Sequence, residues 1–477
     1  MITPLRRTKI VCTIGPSCFS QEGIINLLLH GMNVARVNFS HGTHEIHERT
    51  IGYIRHAARE YDYSIPILAD LQGPKIRVGQ MKDGGQMLEE GSMVTITPDD
   101  VEGTSKVIPI DYKKLPEEAE EGNTILLDDG LLEFKVIKCV GKNIEAKVCV
   151  GGLLKSRKGV NLPNVKISIP SLTEKDRKDL DFALKQDVDY VALSFVRSAN
   201  DVIELKKLIA DAGSDAAVIS KIEKPEAIDC LDDIIDASDG IMVARGDLGI
   251  EIPTEEVPFI QKRIIEKCRA KGKPVITATQ MLDSMINNPR PTRAETSDVA
   301  NAVLDGTDAV MLSGGTAAGK YPMEAVNVMN RICLKIEERW DRLYNSLEYD
   351  RPDNKEKQII ESLAHSCIFI ADNVEAKVIS TITHSGSTAR RIAKFRPKVP
   401  IFAFTESQKV RRQLNLVWGV RSIRINELFD TDRSVKIMED YLKDNGIVKK
   451  DDRVIIATGM PTAKRGRTNM VKVSTIE

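Results

Sequence analysis

The chain has 477 residues, 42% apolar and 29% charged, with 68 Lys plus Arg against 69 Asp plus Glu and a formal net charge of −1. That length exceeds one ordinary core and predicts two to four domains. The charge balance excludes a basic field for nucleic acid or anionic membrane, and the longest apolar runs fall well short of the ~20 residues of a membrane span.

Arg6 and Arg7 are followed by no apolar signal region, so a cytoplasmic protein is expected. The first third alternates β-rich runs at 9–15, 34–40 and 64–70 with amphipathic helix patterns at 21–30 and 45–59. After Asp70 the alternation stops until Thr173. In that interval 94–97, 125–137 and 144–150 read as strand runs broken by Asp-Gly, Gly-Lys-Asn and Gly-Gly turns. A structureless loop of that length does not suit a compact chain, so an inserted β domain is expected. Thr173-x-x-Asp176 then has capping-box spacing, as does Ser198-x-x-Asp201.

Five more strands are expected at 190–195, 217–223, 240–248, 274–279 and 309–313, with helices between them. Three strands before the insertion and five after predict an α/β chain: a (β/α)8 TIM barrel with a small β-barrel inserted after its third strand. A polar stretch at 349–357 reads as a linker. Strands at 378–383, 399–404, 421–425 and 453–457 follow, with helices at 388–395, at 408–418 and ending near Gly446: a C-terminal α/β doubly wound unit. The expected divisions are 1–73 and 170–346 for the barrel, 74–169 for the insert as a lid, and 347–477 for the C-terminal unit. Eight scattered cysteines without a CxxC pair predict reduced thiols; Cys139 and Cys149 flank a hairpin turn but are expected free.

Barrel enzymes carry their chemistry at the C-terminal strand ends. Here those ends hold Arg36, Asn38 and Ser40, then Asp70, Lys221 and Glu223, Asp247, Thr279 and Ser313. Lys221 and Glu223, two apart on a strand, share a face. Taken alone they read equally well as a buried ion pair, and Asp247 could be only a turn former. Together, two carboxylates on neighbouring strands suit Mg2+, which takes one or two carboxylates plus substrate oxygens and water. A Lys beside them would stabilise a phosphoryl group in transfer. Gly314 to Lys320 fits GxxxxGK, but Tyr321 stands where a phosphate-binding loop needs Ser or Thr, so a P-loop is rejected. His41, His44 and His47 share a helical face; without further ligands they read as solvated or lightly hydrogen-bonded.

In this order on eight strands, certain segments resemble the pyruvate kinase family over essentially the whole chain. They are Ala35-Arg36-Val37-Asn38-Phe39-Ser40-His41-Gly42, Gln72-Gly73-Pro74-Lys75-Ile76-Arg77, Lys158-Gly159-Val160-Asn161-Leu162-Pro163, Ser220-Lys221-Ile222-Glu223, Ala244-Arg245-Gly246-Asp247-Leu248-Gly249 and Arg290-Pro291-Thr292-Arg293-Ala294-Glu295. The resemblance implies phosphoryl transfer from phosphoenolpyruvate to ADP, giving pyruvate and ATP. By that analogy Glu223 and Asp247 hold Mg2+ or Mn2+, Lys221 stabilises the phosphoryl and the enolate, and Arg36 steers phosphate. Gly246 and Thr279 meet the carboxylate end, with Thr279 also positioning a water that protonates the enolate. Arg77 and Lys158 grip the nucleotide phosphates, and the assembly is a homotetramer. One departure is Gly315, where the family usually has an acidic residue.

Two further expectations concern small ligands. Potassium is expected to be dispensable. In members that need it, residues matching Asn38, Ser40 and Asp70 hold it, with a Thr after the Asp and a Glu at the position of Lys75; here Leu71 and Lys75 stand instead, and the ammonium can supply the cation's charge. The C-terminal unit is expected to bind a sugar-phosphate effector. Thr383, Ser385, Gly386, Ser387 and Thr388 lie between a strand and a helix, where hydroxyls and free N–H groups receive anions, although capping alone explains them equally well. Lys464, Arg465 and Arg467 add charge, and the family's effector site lies in this unit. Two other classes compete: a lyase or aldolase acting on a pyruvate-derived enolate, and a non-catalytic metabolite sensor.

Overall fold

Eight short runs of buried residues close into a parallel barrel in the order β1-β16-β15-β14-β13-β12-β3-β2. They are β1 (Lys9–Ile14), β2 (Val34–Asn38), β3 (Ile67–Asp70), β12 (Tyr190–Leu193), β13 (Ala217–Ile222), β14 (Gly240–Ala244), β15 (Val275–Ala278) and β16 (Ala309–Leu312). Strands covered on both faces read as short, largely apolar runs, which is why the sequence pattern located them. Val11, Val34, Leu68, Tyr190, Ile219 and Met242 fill the interior, and the helices pack outside. The computed structural model describes residues 6–163, 165–339, 354–426, 430–460, 462 and 467–477.

One expected strand is shorter than its sequence pattern. The run at 240–248 leaves the sheet after Ala244, and Arg245–Glu251 is helical. The reason is polar: Arg245 turns out to pair with Asp298 at 2.5 and 2.7 Å, and Gly246 N–H donates to Thr279 Oγ1 at 2.6 Å.

The insert leaves between β3 and β12, which nonetheless pair in register, Leu68 with Tyr190 and Asp70 with Ala192. Its strands are β4 (Gly85–Leu88), β5 (Met93–Thr97), β6 (Val107–Pro109), β7 (Thr124–Leu127), β8 (Leu132–Val140), β9 (Asn143–Val150), β10 (Gly152–Lys155) and β11 (Val160–Asn161). They hydrogen-bond as a six-stranded sheet, β11-β7-β8-β9-β5-β6, and a two-stranded one, β10-β4. Both wrap a core of its own that includes Ile96, Ile125, Phe134, Ile144 and Val148. The run at 125–137 is a hairpin, reversed at Asp128, Asp129 and Gly130, all at positive φ. Cys139 lies opposite Ile144 rather than Cys149, and all eight cysteines are free.

The C-terminal sheet runs β19-β18-β17-β20-β21, from β17 (Val378–Ile382), β18 (Ile401–Thr405), β19 (Val420–Arg424), β20 (Arg453–Thr458) and β21 (Met470–Thr475). Helices cover both faces: Ala364, Cys367 and Ala371 line one core, Val435, Met438 and Leu442 the other. The helix Lys355–Asn373 starts inside the stretch expected as linker; residues 349–353 of that stretch lie outside the described ones. β21 pairs antiparallel with β20 and was not anticipated, because most of it faces solvent and its apolar signal is weak. The helix expected at 408–418 stops at Leu414. Beyond it the chain turns into the barrel floor, where Leu416 joins the inner core and Trp418 is fully buried. Tyr190 Oη donates to the Gln413 carbonyl at 2.7 Å, Lys9 Nζ to the Val420 carbonyl at 2.7 Å, and Arg396 pairs with Asp308 at 3.1 Å. The C-terminal unit therefore seals the N-terminal face of the barrel and leaves the opposite mouth clear.

Candidate active site

The mouth is organised around Lys221. It stands at the end of β13, and its ammonium lies 2.8 Å from Glu223 Oε1, 3.5 Å from Asp70 Oδ1 and 2.8 Å from Ser194 Oγ. Burial would lower its pKa, but the negative charges of Asp70, Glu223 and Asp247 outweigh that and hold it above its ordinary value. The other oxygen of Asp70 is taken by Arg36, at 2.6 Å from Nη2 and 2.7 Å from Nε, and Arg36 Nη1 donates to Thr13 Oγ1 at 2.9 Å. Burial pushes the Asp70 carboxyl upward, and the charges of Lys221 and Arg36 overcome it and hold it low. Glu223 shifts the opposite way: burial, aided by Asp247, raises it against the pull of Lys221.

Glu223 Oε2 accepts the N–H of Phe195 at 2.9 Å, while Oε1 is buried and receives no well-aligned hydrogen bond. A buried carboxylate whose Oε1 faces only the Lys221 ammonium, with Asp247 as its negative neighbour, fits a hard divalent cation. Among the described residues no group of three or more His, Cys, Asp or Glu side chains converges on a metal-sized site. Substrate oxygens and water would have to complete the coordination. Asp247 opens the helix Arg245–Glu251 and lines a narrow cleft between barrel and insert, together with Lys75, Asp129, Asn161, Phe195 and Lys224. Lys224 Nζ meets Glu251 at 2.7 Å, and Asn161 from the insert donates to the same carboxylate at 3.1 Å.

Backbone strain concentrates here. Phe195, Thr279, Gln280 and Leu282 are all left-handed, with φ of 54°, 63°, 57° and 55°. For a β-branched residue such as Thr279 that is a true outlier, and such strain clusters at working sites. Arg245 pins the loop by donating to the Thr279 carbonyl at 2.9 Å.

Sequence reasoning placed Arg36, Asp70, Lys221, Glu223, Gly246, Asp247 and Thr279 at the mouth, and the structure brings them there. Asn38 caps its own turn, accepting from Ser40 N–H at 3.1 Å, while the Asp70 carboxylate lies between Arg36 and Lys221. Arg77 and Lys158 sit on neighbouring segments at the base of the insert, bridged through Arg77 and Gly159. Arg77 reaches the Arg157 carbonyl at 3.3 Å and Lys158 pairs with Asp128 at 2.7 Å. Lys75 is exposed against Gly159, on the insert side of the cleft. In the C-terminal unit Thr383 Oγ1 accepts from Gly386 N–H at 2.9 Å, and the Thr388 and Thr468 hydroxyls meet at 2.7 Å. Lys464 and Arg465 lie outside the described residues. His44 bonds Asp179 at 2.7 Å and His47 packs on Phe39. Thr13, Ser194, Phe195 and Arg245 were missed. Ser194 carried a readable signal, a hydroxyl directly after an apolar strand, like Ser313.

Moving a phosphoryl group between oxygens asks a protein for fixed charge and exclusion of water more than for covalent help. The barrel mouth offers such charge beneath an inserted β unit, and fold and site together define a phosphotransferase built on a (β/α)8 barrel. Residues 5–326 match the family model for the pyruvate kinase barrel domain, and residues 361–474 that for the pyruvate kinase alpha/beta domain. The chain is 47% identical to a pyruvate kinase of Geobacillus stearothermophilus over 99% of its own length and 80% of the relative's. It is 46% identical to one of Staphylococcus aureus strain MRSA252, over 98% and 80%. A solved pyruvate kinase from Cryptosporidium parvum superposes with a TM-score of 0.92 at 40% identity, covering 99% of this chain and 97% of that one. The chain belongs to the pyruvate kinase family. It transfers the phosphoryl group of phosphoenolpyruvate to ADP, giving pyruvate and ATP in glycolysis, and the lyase and sensor readings fall away.

Proposed function

We propose that the mouth residues divide this reaction among themselves. Lys221 faces the phosphoryl group in transit and the enolate left behind; its charge, held permanently by three carboxylates, is already in place when negative charge shifts. Arg36, fixed by Asp70 and Thr13, steers the phosphate. Gly246 and Thr279 receive the carboxylate end. The Thr279 hydroxyl donates to the Ala278 carbonyl at 2.7 Å and accepts from Gly246, which leaves one lone pair to orient the water that protonates the enolate. Glu223 and Asp247 would hold Mg2+ or Mn2+, which when bound would offset the negative charge of the substrate. The buried Glu223 carboxylate, with Asp247 as a second negative charge beside it, carries this reading. Arg77 and Lys158 grip the nucleotide phosphates, and the insert, with its separate core supporting divisions at 73/74 and 169/170, closes as a lid; the division expected at 346/347 lies outside the described residues. A coupled assay of pyruvate formation tests the whole: product must depend on both ADP and divalent metal. Pyruvate released equally well without ADP would overturn it.

We further infer that potassium is dispensable, since Lys75 lines the same cleft as Asp247. Activity should persist in potassium-free buffer with a bulky organic counter-cation, and Leu71→Thr with Lys75→Glu should create a potassium requirement. Collapse of the unaltered enzyme without K+, restored by KCl, would refute this. The loop Thr383–Thr388 with Arg467 is proposed as the sugar-phosphate effector site; the contact of Thr388 with Thr468 supports it by joining the two loops. Titrating a hexose bisphosphate and ribose 5-phosphate at low substrate tests it, and no response to either removes it. A homotetramer in the cytoplasm completes the reading, checked by light scattering and cell fractionation. Among the described residues no helix is long and apolar enough to cross a membrane.

A further inference from the structure

A cleft of about 480 Å3 lies on the far side of the barrel from the mouth, in the seam with the C-terminal unit. Its walls carry Lys206, Lys271, Lys273, Arg390 and Arg391, against two carboxylates. Three of these cations are already matched: Lys206 with Asp239 at 2.8 Å, Lys271 with Asp236 at 2.6 Å and Arg391 with Glu361 at 2.8 Å. The other two are not. Lys273 donates to the carbonyls of Asp236 and Ser238, and Arg390 to the Ser385 carbonyl at 2.9 Å. Among the described residues neither has a carboxylate within ion-pair distance.

Behind this pair the seam deepens into a small cavity that Lys273 and Arg390 share with Arg269, Lys394 and Arg396. Arg269 and Arg396 are 7% and 4% exposed; Arg396 pairs with Asp308, the one acid on that wall, at 3.1 Å, and Lys394 reaches out to Glu361 at 2.5 Å. Arg396 Nε is buried without an acceptor. Burial, then the neighbouring Arg396, pushes Arg269 down to about 9. A partly buried surplus of like charge is costly unless a counter-charge joins it.

We propose that this seam, which borders the hydroxyl loop at Ser387, is a second anion site that binds a small phosphate-bearing dianion between Lys273 and Arg390. Guanidinium and ammonium donors converging from two domains suit a phosphate group, whose several oxygens accept from both sides. A monocarboxylate would leave half of them unused. The strands β14 and β15 begin at this seam, next to Asp239 and Lys273, and lead at their other ends into the helix that carries Asp247 and into Thr279.

The test uses the full chain with its mouth saturated by phosphoenolpyruvate and no nucleotide, and follows labelled inorganic phosphate by equilibrium dialysis. Three proteins are compared: the unaltered enzyme, Lys273→Gln with Arg390→Gln at the seam, and Thr383→Ala with Thr388→Val in the loop. The seam variant should bind one class of phosphate about ten- to hundredfold more weakly, while the loop variant retains it. Lys273→Arg should keep the site, which guards against a folding defect. Displacement of the label by ribose 5-phosphate at lower concentration than unlabelled phosphate would assign an ester as occupant; the reverse order would assign free phosphate. Unchanged binding in the seam variant, loss in the loop variant alone, or equal displacement by chloride at matched ionic strength would each overturn the proposal.

Discussion

Replacing Lys221 by Met removes a charge that three carboxylates share. At 2.8 Å from Glu223 and 3.5 Å from Asp70, the attractions are roughly 6 and 5 kcal/mol at an effective dielectric of about 20, before desolvation is subtracted. Removing one partner of a buried pair typically costs about 3–5 kcal/mol net. Part of that loss is relieved in this site, because burial and Asp247 already raise Glu223 and it would take up a proton. The variant should therefore fold, with Arg36, Gly246 and Thr279 still able to receive substrate. Turnover should fall by ~10^2-fold or more, while half-saturation for phosphoenolpyruvate moves by less than about tenfold. The assay is coupled pyruvate formation at saturating ADP and metal, with substrate binding followed by calorimetry. A variant that turns over near normally would mean that Lys221 only balances its neighbours' charge, and the mechanism above would be wrong.

Other outcomes follow from the same geometry. Asp70 sits below its ordinary 3.8 because Lys221 and Arg36 outweigh burial, so the stability it contributes is present above 3.8 and lost as pH falls through the folded-state value. Asp70→Asn should accordingly flatten the acid side of the stability profile, read by urea unfolding between pH 5 and pH 3; an unchanged slope would refute the assignment. Gly73 has φ +71°, and a Cβ there would meet Phe195 Cδ2 at 2.7 Å and Ser194 Cβ at 2.9 Å. Gly73→Ala should lose about 1–2 kcal/mol from the left-handed backbone alone. By pushing on the Phe195 N–H that holds Glu223, it should also weaken Mn2+ binding by about tenfold, measured by titration.

How much of this was readable depended on whether a feature was local. The barrel was legible because most of its strands are short, largely apolar runs closed by a polar residue, as in Tyr190–Leu193 followed by Ser194. The pair Lys221 and Glu223 could be placed on one face from period alone. What could not be read was the partner set. Arg245 finds Asp298 on the helix Arg293–Leu304 that follows the neighbouring strand β15, and Ser194 earns its place only because β12 lies beside β13. The left-handed turn at Thr279 is imposed by tertiary contacts against the preference of a β-branched side chain, so no local rule announces it. β21 failed for the opposite reason: it is an exposed strand with little apolar signal, held by pairing with β20.

The register between β3 and β12 bears on how such a chain can fold at all. Those strands must find each other across the entire insert, yet the cost of closing a loop grows only by about 0.6 kcal/mol per doubling of its length. The insert reduces even that. Its two ends are already neighbours, joined at Arg77 and Gly159 and by the Val78 N–H to the Lys158 carbonyl at 2.9 Å, and its core shares no residue with the barrel's. If it condenses first, it delivers β3 and β12 to each other as a short tether would. A barrel with residues 77–159 replaced by a brief turn should therefore still close, and refold at a rate close to that of the intact chain.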